Sequence, residues 1–364
     1  MDSIYSYPSS TEDFRMEKKC FHKLSDILPT GLLTCLSHGE DYEDMVLSGN
    51  TRERFLKEMI PLENGIPSHD TFNRVFSGLE PDLLRQCLNN YGRDLIGLLS
   101  EKQICLDGRK LRGVSPGSRD NTGLYIVNAR VAENRLCTGQ KRADDKSNEM
   151  TAIPSLIEEP DIEDAAVSID ALGCQRDMAG RIVEKKGHCL LALKQNQPDL
   201  PDDAFCGFRA CPLESVCEEW EYDHGRYETR KCSIISAKDA VPEENMNSRP
   251  GLRTPVKVEA SGMIKDRESK EIRYCISDEE GMNASCFNAP VRGHWGIENQ
   301  LYRHLDVTFR EDACRAGKGH AAENLPTMRK LAVQIIKEQT DKLSLKKRRL
   351  NAAYNIEYLK KLIT

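Results

Sequence analysis

Two short apolar runs in the middle of the chain, Ile104-Cys105-Leu106 and Ala165-Ala166-Val167-Ser168-Ile169, each lead directly into an aspartate, Asp107 and Asp170. Helical patterns alternate with such runs over residues 148–194. This predicts strands at 103–106, 124–132, 135–141, 165–169 and 188–194, with helices at 148–159 and 175–186. Three strands in series, followed by strands alternating with helices, predict a mixed sheet with helices packed on it, an α/β class. In such sheets sites form beyond strand ends, where a carboxylate is held by a rigid element without being buried. Either aspartate taken alone also reads as a turn or helix-cap residue.

The flanks differ from this centre. Residues 1–95 read as a small helical domain, with a Gly-Pro turn at 64–67 and Ser68 or Asp70 capping a helix that carries Phe72, Val75 and Phe76. The early stretch 24–36 is helical in character but interrupted by Pro29 and Gly31. Residues 200–282 read as strand-rich, with strands at 216–222, 227–236 and 271–277 and a polar loop at 237–268. From 285 the pattern is helical to the end. The last residues, 346–364, form a basic helical tail whose Lys346, Lys347, Arg348, Arg349, Lys360 and Lys361 suit either solvent or phosphates.

Composition removes several classes of function. No apolar run approaches the roughly 20 residues of a membrane helix, and the N-terminus lacks a secretory pattern, so a cytoplasmic protein with no membrane partner is expected. The net charge of −6 argues weakly against nucleic-acid binding, but it is unevenly spread, with residues 328–364 carrying 10 Lys and Arg against 3 Asp and Glu. The 14 cysteines include no Cys-x-x-Cys pair, which fits reduced thiols. A zinc site on Cys206, Cys211 and Cys217 is the one alternative the spacing allows. No Walker loop, Gly-x-Ser-x-Gly, His-Glu-x-x-His or Gly-x-Gly-x-x-Gly is present.

A third acid lies in Arg292-Gly-His-Trp-Gly-Ile-Glu298. At helical spacing Trp295, Glu298, Tyr302 and Leu305 share one face. A glutamate on such a face needs a metal or a cation such as Arg292 or Arg303. Two aspartates at strand ends and one glutamate on a helix form a donor set for two hard divalent cations, Mg²⁺ or Mn²⁺, about 3.5–4 Å apart. Such a pair promotes in-line displacement at a phosphodiester with no protein nucleophile.

The ordered blocks along the chain carry a resemblance. They are Gly65-Ile-Pro-Ser-His-Asp-Thr-Phe72; Leu106-Asp-Gly-Arg-Lys-Leu-Arg112; Asp145-Lys-Ser-Asn-Glu-Met-Thr-Ala-Ile-Pro154; Asp170-Ala-Leu-Gly-Cys-Gln175; Leu193-Lys-Gln-Asn-Gln197; His224-Gly-Arg226; and His294-Trp-Gly-Ile-Glu-Asn299, followed by Leu305-Asp-Val307 and Glu311-Asp312. In these the chain resembles the DDE transposases of bacterial insertion sequences, in the subgroup with the H-repeat-associated proteins.

The resemblance implies an RNase H-like mixed sheet flanked by helices over 100–345, with a β-rich insertion at about 200–282 and a helical N-terminal domain over 1–95. It implies that Asp107, Asp170 and Glu298 are the catalytic, metal-binding triad. It further implies metal-dependent cleavage and transfer of double-stranded DNA at terminal inverted repeats, by a homodimer in the DNA complex. A descendant that binds DNA without catalysis, or a nuclease without joining activity, stays open. The resemblance suggests DNA contacts at Lys110, Arg112, Lys146, Asn148, Lys194, Asn196, Gln197, His224, Arg226, His294, Trp295 and Asn299. Ordinary surface polarity is the alternative at each.

Overall fold

The computed structural model describes residues 13–16, 19–96, 103–111, 124–132, 136–143, 149–158, 162–170, 176–193, 200–223, 226–242, 251–264 and 267–363, and leaves out some side chains among them, those of residues 298 and 299 included. The helices α1 (Leu24–Leu36), α2 (Tyr42–Thr51), α3 (His69–Gly78) and α4 (Pro81–Ile96) come first. Strands β1 (Gln103–Leu111), β2 (Leu124–Val131) and β3 (Leu136–Ala143) follow, then α5 (Glu149–Glu158), β4 (Ala166–Ile169), α6 (Arg176–Glu184) and β5 (His188–Leu193). After α7 (Leu200–Ala210) come β6 (Ser215–Asp223), β7 (Arg226–Ile234), β8 (Thr254–Ile264) and β9 (Arg267–Ser277). The last stretch holds α8 (Ala284–Gly296), a π-helical turn (Ile297–Tyr302), α9 (Arg303–Phe309), α10 (Ala321–Lys337), α11 (Leu345–Tyr354) and α12 (Ile356–Ile363).

All nine strands form one mixed sheet, in the order β3-β2-β1-β4-β5-β9-β8-β7-β6. Strands β1 to β3 are antiparallel, β4 and β5 run parallel to β1, and β9 joins β5 antiparallel. The strand-rich region therefore extends the central sheet. Its polar stretch 237–268, read from sequence as loop, contains the eleven-residue strand β8. That strand alternates buried Val256 and Val258 with Lys257 and Glu259, so mean polarity hides a half-buried strand.

Alternation along β1 sorts its side chains onto two layers. Ile104 and Leu106 join Ala152, Ile153 and Leu156 of α5 and Ile182 of α6 in one core. Gln103, Asp107, Arg109 and Leu111 lie on the opposite face, under the C-terminal helices. There α8 buries Phe287 and Val291 against Leu190, Cys232 and Val258.

The two ends of the chain share a third core. Leu28, Leu32 and Leu36 of α1 and Phe72, Val75 and Phe76 of α3 pack with Met328, Leu331 and Ile335 of α10 and Leu359 and Leu362 of α12. Ser68 caps α3, its Oγ accepting from the Thr71 N–H at 3.4 Å. Helix α1 runs unbroken through Pro29 and Gly31, contrary to the expected interruption. Pro29 lies early in the helix, where its missing donor costs one intrahelical bond. A Cβ at residue 31 would sit 3.2 Å from Phe76 Cζ, so Gly31 admits that ring.

The basic tail is likewise not a free arm. Arg349 is buried, with Nε donating to the Cys35 carbonyl at 2.9 Å, Nη2 to that of Gly39 at 3.0 Å and Nη1 to that of Thr308. Its guanidinium also lies 3.8 Å from the Phe309 ring centroid, and burial lowers its pKa to about 10. Arg348 binds Asp341 at 2.8 Å, while Lys346, Lys347 and Lys361 remain exposed.

Losing Arg349 orphans three carbonyls, each worth roughly 1–3 kcal/mol when buried unpaired. Arg349→Met should lower unfolding stability in urea by about 3 kcal/mol, whereas Lys346→Met should change it by under about 0.5 kcal/mol. Similar values for the two would remove Arg349 as the pin between the chain ends.

Candidate active site

In the parallel register of β1 and β4, Leu106 is opposite Ile169. Asp107 follows on β1 and Asp170 follows directly after the end of β4, so the two acids leave neighbouring strands. The preceding pair, Leu106 and Ile169, points into the α5–α6 core. Alternation along β1 turns Asp107 to the other face, the one crossed by α8. The sequence places Asp107 at a strand end, but β1 continues to Leu111 because β2 pairs with it as far as Leu124. Only the pairing with β4 ends there.

Helix α8 reaches this face because glycine lets it approach. A Cβ at Gly293 would be 2.2 Å from Gln103 Oε1, and one at Gly296 would be 2.9 Å from Arg130 Nη1. Gln103 Nε2 donates to the Pro290 carbonyl at 2.6 Å. Arg130 donates to Gln300 Oε1 at 2.7 Å. The two glycines of the Arg292–Glu298 segment are thus explained by close packing on β1 and β2.

The helix then widens into the π-turn Ile297–Tyr302, which includes the backbone of Glu298. Single π-turns are rare and often occur at functional sites. The turn shifts the helical register, and the buried row becomes Ile297, Leu301, Tyr302 and Leu305. Of the face expected to join Trp295 to Leu305, Tyr302 and Leu305 are buried and Trp295 is half-buried, with Ile297 and Leu301 added to the buried row. Tyr302 Oη donates to the Asp107 backbone carbonyl at 2.9 Å, tying the element of Glu298 to the first aspartate. The Glu298 side chain lies outside the described residues, as does that of Asn299.

The described groups around the pair are committed elsewhere. Arg109, two residues past Asp107 on the same face, meets Asp306 at 2.5 Å, Asp312 at 3.2 Å and Glu311 at 3.4 Å. Those acids therefore form an ion-pair cluster around one guanidinium. Burial outweighs the nearby Arg109 and holds the Asp306 carboxyl above its ordinary pKa. A deeper cation, Lys330 of α10, is 1% exposed, and burial lowers its pKa.

Three of the residues expected at DNA are described with protein partners. His294 is buried with Nδ1 3.0 Å from Ser168 Oγ, because it faces the sheet. Lys110 lies on the β1 face opposite Asp107, its Nζ 5.7 Å from the Tyr125 ring centroid. Trp295 is half-buried under Arg273, whose guanidinium lies 3.7 Å from the indole ring centroid. Arg112, Lys146, Asn148, Lys194, Asn196, Gln197 and His224 lie outside the described residues, and Arg226 is described by its backbone alone.

Among the described residues no three His, Cys, Asp or Glu side chains gather to hold a metal. The zinc reading fails on this point. Cys206 sits on α7, Cys211 just beyond it donates to the Asp239 carbonyl at 3.2 Å, and Cys217 on β6 is opposite Cys232. The sequence overlooked Arg109, Asn128 and Lys330. Period-two alternation from Asp107 was the available signal for Arg109.

Comparison with known proteins decides the family. The family model described as "DDE_Tnp_1-associated" matches residues 7–92. The "H repeat-associated putative transposase YhhI" of Escherichia coli K12 is 32% identical over 99% of this chain and 97% of its own length. The chain belongs to the H-repeat-associated DDE transposases. The "Putative transposase YncI" of Escherichia coli O157:H7 is 30% identical over 100% of this chain and 95% of its own. The "Putative protein YbfL" of Escherichia coli K12 is 32% identical over 99% and 97%.

Removing Arg109 leaves three carboxylates crowded at a partly buried site. Arg109→Gln should cost about 3 kcal/mol of stability near pH 7, as for other broken buried pairs. The loss should shrink towards pH 4, because the acids stripped of their cation then protonate. Urea titrations at the two pH values check this, and an equal loss at both would exclude the electrostatic account.

Proposed function

We propose that this transposase cuts and rejoins DNA with two divalent cations, Mg²⁺ or Mn²⁺, held by Asp107, Asp170 and Glu298. The observation that carries the reading is the parallel register of β1 and β4. It pairs Leu106 with Ile169, so the residues that follow them, Asp107 and Asp170, start from neighbouring strands, which supports the reading. The order β3-β2-β1-β4-β5, antiparallel then parallel, supports reading that half of the sheet as RNase H-like.

The donor set fits hard cations. Two carboxylates leave neighbouring strands, and Arg109, a guanidinium on the Asp107 face, is held by Asp306, Glu311 and Asp312. Bound ions would supply Lewis acidity at the phosphodiester and make water or a DNA 3′-hydroxyl nucleophilic. The chain's own part is geometric. Pairing with β2 fixes the Asp107 backbone, Asp170 follows directly on β4, and the Tyr302 bond fixes the glutamate's turn against Asp107. The substrate in this reading is double-stranded DNA ending in terminal inverted repeats, bound by a homodimer so that two ends meet.

The test uses a supercoiled plasmid carrying the element's own ends, with full-length protein and Mg²⁺ or Mn²⁺. Wild type should release the element and join it to target DNA. Asp107→Asn, Asp170→Asn and Glu298→Gln should each lower cleavage by about a thousandfold or more while duplex binding persists, a loss of about 4 kcal/mol in transition-state stabilisation. Cleavage without joined products would favour the nuclease reading. DNA binding with no cleavage by wild type would favour a non-catalytic descendant.

A further inference from the structure

A buried polar chain runs from α10 to the first aspartate. Lys330 Nζ donates to Asn128 Oδ1 at 2.5 Å and to Gln140 Oε1. Asn128 Nδ2 donates to Tyr302 Oη at 3.0 Å, and Tyr302 Oη donates to the Asp107 carbonyl at 2.9 Å. Asn128 sits directly opposite Asp107 in the β1–β2 pairing, so both side chains occupy the same face. Lys330 and Asn128 are at most 1% exposed, and Tyr302 is 9% exposed.

The direction of this chain is forced. An ammonium only donates, so the Asn128 oxygen must face Lys330 and its NH₂ must face Tyr302. The phenol oxygen then accepts from Asn128, and its one proton is left for Asp107. A buried lysine with amide rather than carboxylate acceptors is costly for stability alone. A methionine of similar length would fill the space without that cost.

We propose that Lys330, Asn128 and Tyr302 are positioning residues for the metal site, locking the backbone of Asp107 to the π-turn that carries Glu298. This rests on the carboxylate reading above and deepens it. Lys330 sets the polarity, Asn128 transmits it, and Tyr302 holds the two acid-bearing elements at one separation. None of the three touches substrate. They act as outer partners of metal ligands do, whose loss typically costs about 10–100-fold in metal affinity.

The test compares full-length wild type, Tyr302→Phe, Asn128→Asp and Asp107→Asn. Mn²⁺ affinity is read from the paramagnetic resonance signal of the free ion, beside melting temperature and duplex binding. Asn128→Asp separates fold from positioning. Its carboxylate gives Lys330 a counter-charge but has no N–H, so the Tyr302 proton turns to it and leaves the Asp107 carbonyl. Both network variants should bind Mn²⁺ about tenfold more weakly. Asn128→Asp should melt no lower than wild type, and duplex binding should be unchanged.

Wild-type Mn²⁺ affinity in Asn128→Asp, with affinity lost in Asp107→Asn, would show the network to be packing alone and overturn the proposal. If Tyr302→Phe is too unstable to titrate, Asn128→Asp decides. Unchanged affinity in Asp107→Asn as well would bring down the carboxylate assignment itself, and the network's role with it.

Discussion

Strand β1 is hydrogen-bonded along both edges, antiparallel to β2 and parallel to β4, and its register determines where every acid in the site stands. A slip of one residue would turn Asp107 into the α5–α6 core and Leu106 towards the site. The core prevents that slip, since Ile104 and Leu106 are buried among α5 and α6 on one face only. The same register puts Arg109 beneath Asp306, Glu311 and Asp312 and puts Asn128 across from Asp107. Positions that look independent in the sequence are thus set by one pairing.

The layer above the sheet is held by cations that the sheet and helices bury. Arg130 donates to the Gly293 carbonyl at 3.4 Å and to Gln300 at 2.7 Å, joining β2 to α8 and the π-turn. Lys330 joins α10 to β2 and β3, and Arg349 joins α11 to the ends of α1 and α9. Each replaces apolar packing by directional bonds. Apolar contacts tolerate sliding, whereas a guanidinium that serves three carbonyls does not. This layer must hold one helix at a fixed height over β1, and directional bonds suit that task.

Much of this was legible because period-two and period-3.6 patterns survive where one face is buried. The run ending before Asp170, the Ser68 cap and the Phe72–Phe76 face form as their spacing predicts, and the run before Asp107 forms a strand that continues past it to Leu111. Three failures have distinct physical origins. Strand β8 is polar on its open face, so its average hid its alternation. Pro29 and Gly31 read as breakers, but α1 continues despite the one bond Pro29 removes, buried along most of its length, and Gly31 makes room for Phe76. The π-turn inserts a residue into a pattern judged at α spacing, and the buried row across it gains Ile297 and Leu301. Strand β1, strand β4 and the helix leading to Glu298 were legible as elements, and the π-turn is tied to β1 through Tyr302. The polar network was not, because Asn128 and Lys330 are far apart in sequence and each alone reads as surface.

Charge counting fails for a related reason. The excess of Lys and Arg after residue 328 looks like a phosphate-binding tail, yet Arg329, Lys330 and Arg349 from that count are each at most 2% exposed. Arg109 and Arg130 are also withdrawn from the surface. The positive charge available to a DNA backbone is therefore smaller than the sequence total, and the overall charge is already negative. Long-range attraction by a basic surface is then a weak organising force for this chain. For the proposed chemistry, the attraction that counts is local. Two divalent ions at Asp107, Asp170 and Glu298 would offset the charge of three carboxylates where the phosphodiester reacts, so metal occupancy would govern how the scissile phosphate is seated rather than whether the duplex is held.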